Sequence, residues 1–159
     1  MGFRINALTD NDRNIISNYM KELWGDDIVI AHGEVFDTRN LPGYKAMIDF
    51  EFVGFLHYQI RGEECEIITL SSLVEAKGIG SGLIAAVEET ARAAHCRKLS
   101  LITTNDNLHA LGFYQRRGFY LVALSPGQIK ESRKLKSSIP EFGYHHIPIR
   151  DELRLEKIL

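Results

Sequence analysis

The run Leu73-Val-Glu-Ala-Lys-Gly-Ile-Gly-Ser-Gly-Leu-Ile84 constrains this chain more than any other stretch. It reads as a strand end, a glycine-rich turn and the first turn of a helix. Gly78, Gly80 and Gly82 carry no Cβ, so the backbone can turn sharply and a ligand can come close to it. The helix that follows opens with unpaired amide N–H groups and with the positive end of its dipole toward the turn. Together these features make a site for phosphate or pyrophosphate.

Three ligand classes use such a turn. A nucleoside triphosphate loop needs Gly-Lys-Ser/Thr, but Lys77 precedes the glycines and no such tripeptide follows. A dinucleotide turn needs G-x-G-x-x-G with an acid about 20 residues later. Leu83 occupies the third glycine position, and the stretch around Lys98 offers no acid. The third class is coenzyme A, whose pyrophosphate can rest on the turn without magnesium.

A second motif decides for the third class. Asn107-Leu-His-Ala-Leu-Gly-Phe-Tyr-Gln-Arg-Arg-Gly-Phe119 resembles the N-x-x-A-x-x-F-Y-x-x-x-G-F segment of the GNAT family of N-acetyltransferases. The Glu75–Gly80 stretch resembles that family's Q/R-x-x-G-x-G loop, and the two motifs come in the family's order and spacing. The resemblance covers Phe52 to Leu124 well and both ends loosely. Glu75 stands where Gln or Arg is usual, which leaves Lys77 as the nearest positive partner for the pyrophosphate.

This resemblance implies a single domain over residues 1–159 with a mixed α/β fold. Its central sheet would be mostly antiparallel, with helices on both faces. It also implies transfer of an acetyl group from acetyl-CoA to a primary amine by direct attack, with no metal. The acceptor would be a small-molecule or peptide amine, and a homodimer is compatible with the family. In the family, the strand before the glycine loop splays from its neighbour and the pantetheine arm lies in the gap. That role falls here on Ser71, Ser72 and Leu73. The amides of Lys77, Gly78, Ile79, Gly80, Ser81 and Gly82 would hold the pyrophosphate, and Asn107 would contact the coenzyme arm. Tyr114 matches the family's tyrosine, which contacts the coenzyme and acts as general acid. A phenol with a pKa of about 10 stays protonated at neutral pH and can donate to a departing thiolate.

The general base in the family is often a glutamate on the strand leading to the loop. Glu64 and Glu66 share one face of that strand, and Glu66 is the better placed. Tyr144, His145 and His146 are the alternatives, should the long 125–148 connection fold over the acceptor. Trp24, His32 and Phe36 are the expected acceptor contacts, because the region after the first helix helps to form the acceptor pocket in this family. Each of these residues also has an ordinary reading. Trp24, Phe36 and Tyr114 fit a core, Ser81 and Asn107 fit helix caps, and Glu66 and His32 fit a solvated surface.

Composition narrows the alternatives. At 159 residues the chain suits one domain with a full core. A formal net charge of −2 gives no electrostatic case for nucleic acid or an anionic membrane. No apolar run reaches membrane-span length. The start Met-Gly-Phe-Arg-Ile-Asn lacks a signal-peptide pattern. Cys65 and Cys96 then read as reduced thiols of a cytoplasmic protein. Three rival functions follow from the same sequence. They are a non-catalytic acyl-CoA sensor, an interaction module using the basic Lys130–Lys136 segment, and a dinucleotide oxidoreductase.

Hydrophobic patterning predicts the elements. Residues 3–8 read as a strand, and a helix capped by Thr9 or Asp10 runs to about Leu23. A short strand at 28–30 precedes a His32-Gly33 turn. Strands at 44–49, 52–61 and 64–71 form a meander with short joins. A helix over about 81–95 turns Leu83, Ile84, Val87, Ala91 and Ala94 to the sheet. The run 98–104 is a strand reached by a right-handed crossover. A helix from Asn107 to about Arg116 ends at Gly118, and 119–124 is a strand. A basic helical turn at 128–136 and a last strand within 149–159 complete the chain, with Leu153, Leu155 and Ile158 inside.

Overall fold

The computed structural model describes residues 2–75 and 77–159. Strand β1 (Arg4–Ala7) and a 3-10 turn at Asp10–Asp12 lead into helix α1 (Arg13–Trp24). The turn carries a reciprocal capping box between Thr9 and Asp12. Gly25 ends α1 in the left-handed region, with φ 87°. A two-residue hairpin joins β2 (Ile28–Ala31) to β3 (Glu34–Asp37). The meander β4 (Gly43–Ile48), β5 (Glu51–Arg61) and β6 (Glu64–Ser72) follows. Then come α2 (Ile79–Ala93), β7 (Lys98–Thr104), α3 (Leu108–Gln115), β8 (Tyr120–Ser125), α4 (Gln128–Leu135) and β9 (Glu152–Ile158).

Among the described residues the main sheet has seven strands in the order β1-β4-β5-β6-β7-β9-β8. Only β6 and β7 pair in parallel, as the crossover through α2 requires. The expected mixed, mostly antiparallel sheet is therefore present, and helices lie on both faces. On one face α2 buries Ile79, Leu83, Ile84, Val87 and Ala91 against Ala46, Val53, Leu56, Cys65, Ile67, Leu99, Leu101 and Leu155. On the other face Ile16 and Met20 of α1 pack with Val29, Ala31, Phe36, Leu41 and Phe55.

The differences from expectation are local. The strand at 34–37 was not foreseen, and α2 starts at Ile79 rather than Ser81. Ala94 lies exposed just beyond α2. In β9 only Leu155 is fully buried, Leu153 is half-buried, and Ile158 is 62% exposed. Alternation explains the last difference, because a residue at odd spacing from Leu155 must face the opposite side.

Two backbone features shape the site. The pairing of β6 with β7 stops at Ile67↔Leu101. Beyond that point β6 stays with β5 and β7 stays with β9, so the sheet splits between them. In the same place β6 carries one extra residue, Ile68, between the pairs Tyr58↔Ile67 and His57↔Thr69. A bulge bends a strand locally, and here it sits where the two strands part.

Candidate active site

A cavity of about 750 Å³ opens at this split. One side is β6 from Glu66 to Ser71, and the other is Ile102–Thr104 with Asp106, Asn107, Ala110 and Tyr114. Leu23, Trp24 and Val29–Ala31 wall it from the α1 side. The C-terminal connection closes it with Ile129, Lys136, Ile139, Gly143, Tyr144 and Ile149.

That connection is fastened at two points. Lys136 Nζ donates to the carbonyls of Trp24 at 2.8 Å and Ile28 at 2.5 Å and pairs with Asp26 at 3.1 Å. Asp106 accepts from the Thr104 hydroxyl at 2.5 Å and from the Tyr144 backbone N–H at 3.1 Å. A Cβ on Gly143 would collide with the Asp106 carboxylate, so glycine is required for this approach. The basic helical segment is thus largely committed to the fold. Ile129 and Ser132 of α4 are buried, and Lys134 pairs with Glu131.

The expected acid and base both line the cavity. Tyr114 is only 9% exposed, and its hydroxyl has no hydrogen-bond partner among the described residues. Burial pushes its pKa above the ordinary tyrosine value, so the phenol stays protonated. Glu66 is 6% exposed. Its two carboxylate oxygens lie 3.1 and 2.9 Å from His32 Nε2.

His32 does more than the sequence suggests. Its backbone N–H also reaches both oxygens of buried Glu152, at 3.1 and 3.2 Å. Burial raises the Glu152 pKa, and that hydrogen bond only partly offsets the effect. His32 and Gly33 are the central residues of the β2–β3 hairpin, with φ 43° and 76°. Asn-Gly is the usual pair for such a turn. A histidine held in the left-handed region costs about 1–3 kcal/mol, and it places the ring on Glu66. The signal open to a sequence reader was this unusual His-Gly turn.

The glycine turn presents the start of α2. Gly78 is its N-cap, with φ 73°. A Cβ on Gly80 would lie 2.7 Å from the Phe113 ring, and one on Gly82 would lie 2.6 Å from the Phe3 ring. Gly82 N–H already donates to Gly78 C=O at 3.0 Å, so the expected set of ligand-facing amides ends before it. Lys77 and Ser81 are exposed, and the Ile79 side chain is in the core. Ala76 of the loop lies outside the described residues. Arg117 was not foreseen here. Its guanidinium donates to Ser81 Oγ at 2.8 Å and lies 3.5 Å from the Phe113 ring centroid. This sets a second cation beside the turn.

Other expected residues separate into those at the cavity and those away from it. Ser71 lines the cavity. Ser72 is exposed and donates to Val74 C=O at 2.6 Å, and the Leu73 N–H is taken by Val53 C=O at 2.8 Å. Asn107 lines the cavity while its side chain caps α3 through the Ala110 N–H at 3.2 Å. Trp24 and Tyr144 line it, whereas Phe36 is core. His145 and His146 are exposed, and the His146 ring stacks on Phe142.

The family model for the Acetyltransferase (GNAT) family matches residues 13–119. The chain belongs to the GNAT acetyltransferase family. The uncharacterised proteins YdhI and YxbD of Bacillus subtilis are each 38% identical to it over 148 residues. The matches span 92% of this chain and 92% and 93% of theirs. Solved GNAT structures share the fold. An IAA acetyltransferase from Bacillus cereus aligns with TM-score 0.73 and 19% identity, over 99% of this chain and 100% of that one. A GNAT acetyltransferase from Elizabethkingia anophelis with acetyl-CoA bound aligns with TM-score 0.72 and 21% identity, over 99% and 98%. No helix among the described residues is long and apolar enough to cross a membrane.

Proposed function

We propose that this GNAT protein transfers the acetyl group of acetyl-CoA to a primary amine by direct attack. The observation that carries the reading is the cavity at the split sheet, with the unpartnered Tyr114 hydroxyl and the Glu66 carboxylate both in its wall. The pyrophosphate rests on the free amides from Lys77 to Ser81, with Lys77 and Arg117 as nearby cations. The pantetheine arm runs between Ser71 and Asn107. The amine nitrogen attacks the thioester carbonyl carbon, the new C–N bond forms, and the C–S bond breaks. Glu66 takes the proton lost by the amine, directly or through water, and Tyr114 gives its proton to the departing thiolate. His32 holds the Glu66 carboxylate in place.

The test is acetyl-CoA titration by calorimetry, followed by release of free CoA thiol against a panel of primary amines. Tyr114→Phe and Glu66→Gln are expected to keep acetyl-CoA binding and to lower turnover by about 10²-fold or more. Binding with no turnover on any amine would instead favour a non-catalytic acyl-CoA sensor. Absence of acetyl-CoA binding by folded protein would sink the reading.

A further inference from the structure

Three carboxylates nine-tenths or more buried stand in the cavity wall: Glu66, Asp106 and Glu152. Their partners differ. Asp106 is used up by the Thr104 hydroxyl and the Tyr144 N–H, one on each oxygen. Glu66 and Glu152 depend on a single residue, since the His32 ring serves one and the His32 backbone N–H serves the other. Among the described residues no lysine or arginine is ion-paired with either. The cavity's lysine, Lys136, is committed to two carbonyls and Asp26.

Two buried carboxylates are thus left with one neutral N–H and one imidazole between them. Buried charge is costly unless it is paired. Burial accordingly pushes Glu152 toward its protonated form. A cation arriving from the cavity would supply what the fold withholds. The Tyr114 side chain, nine-tenths buried in the same cavity wall and without a hydrogen bond among the described residues, also marks the cavity as built around a ligand.

The reacting amine cannot itself be that cation during chemistry, because it must lose its proton to attack. A second ammonium on the same molecule can. Resting on the acetyl-transfer reading above, we propose that the acceptor is a short aliphatic diamine. Its reacting nitrogen sits at Glu66, and its second, protonated nitrogen sits on Glu152. The spacer is short because one histidine spans both carboxylates. Glu152 is then a specificity-determining residue that discriminates diamines from monoamines of equal length.

The test needs no turnover. The protein saturated with CoA is titrated by calorimetry with 1,4-diaminobutane and with 1-aminobutane, which differ by one ammonium. The diamine is expected to bind about tenfold or more tightly, the effect of one charge-assisted hydrogen bond in a partly dry site. Glu152→Gln keeps an acceptor for the His32 N–H and removes the charge. It is expected to erase most of that ratio while CoA affinity stays unchanged. If Glu152→Gln does not fold, Glu152→Asp and the wild-type ratio decide. Equal affinity for the two amines, or no diamine binding beside normal CoA binding, would overturn the diamine assignment and leave acetyl transfer standing. Failure to bind CoA would overturn both.

Discussion

Along β6, β7 and β9 alternate residues turn to opposite faces of the sheet, and the two sets differ in kind. Cys65, Ile67, Leu99, Leu101 and Leu155 meet α2 in a dry, wholly apolar layer. Glu64, Glu66, Lys98, Ser100, Arg154 and Glu156 take the alternate positions. There Lys98 Nζ lies 3.0 Å from Glu156 and 3.5 Å from Glu64, and Arg154 lies 2.5 Å from Glu64 and 3.1 Å from Glu156. One face holds the protein together. The other carries ion pairs and, where the sheet splits, the buried Glu66 and the unpartnered Ser100. The same strands serve both purposes because a side-chain period of two separates them.

The largest stability effect is expected on the dry face. Leu83 is fully buried under the sheet. Leu83→Ala should cost about 3 kcal/mol, through lost transfer energy and the cavity left behind. Urea unfolding measures it. A loss below about 1 kcal/mol would mean that the α2 layer collapses around the gap, and the contrast between the faces would shrink.

The cavity face is expected to reveal itself through pH. His57, beside Phe55 on β5, is fully buried, with Nδ1 at 2.7 Å from Thr69 Oγ1 and Nε2 without a partner among the described residues. Burial, with a smaller contribution from Arg13, lowers its pKa to about 4 from the ordinary histidine value of 6.5. The unfolded chain therefore binds this proton more readily than the folded one. The stability is fully present above about pH 6.5 and is lost as pH falls through about 4, by about 3 kcal/mol in all. His57→Asn should flatten that acid slope of the unfolding free energy. An unchanged slope would assign it to other groups, and His57 would then be an ordinary buried side chain.

The elements legible in the sequence were those with a local cause. Glycines at 78, 80 and 82, the Asn107 cap and the β-branched run at 98–104 each specify their own backbone. Tyr114 and Glu66 were legible for a different reason, since a matched motif and strand alternation fixed their positions. What stayed hidden depends on distant chain segments meeting. Glu152 has no local signal in the sequence, and its burial arises only because β9 inserts between β7 and β8. Lys136 read as part of a basic surface segment, and its role depends on carbonyls more than 100 positions away in the chain. Arg117 reaches Ser81 only because the end of α3 packs beside the start of α2. Ile158 was misplaced for the opposite reason, because counting apolar residues outweighed the alternation that Leu155 imposes.

The smallest expected effect probes the contrast most finely. Ser100 sits in register between Glu66 and Glu156, is fully buried, and its hydroxyl has no partner among the described residues. An orphaned buried hydroxyl costs about 1–3 kcal/mol, whereas removing it leaves only a small apolar group. Ser100→Ala should therefore raise stability, by about 1 kcal/mol, where every truncation on the α2 face lowers it. The midpoint of urea unfolding decides the sign. A loss on Ser100→Ala would mean that the hydroxyl is satisfied by a bound water bridging to Glu66. The polar face would then be fully hydrogen-bonded, and its difference from the dry face would be one of chemistry alone rather than of stored cost.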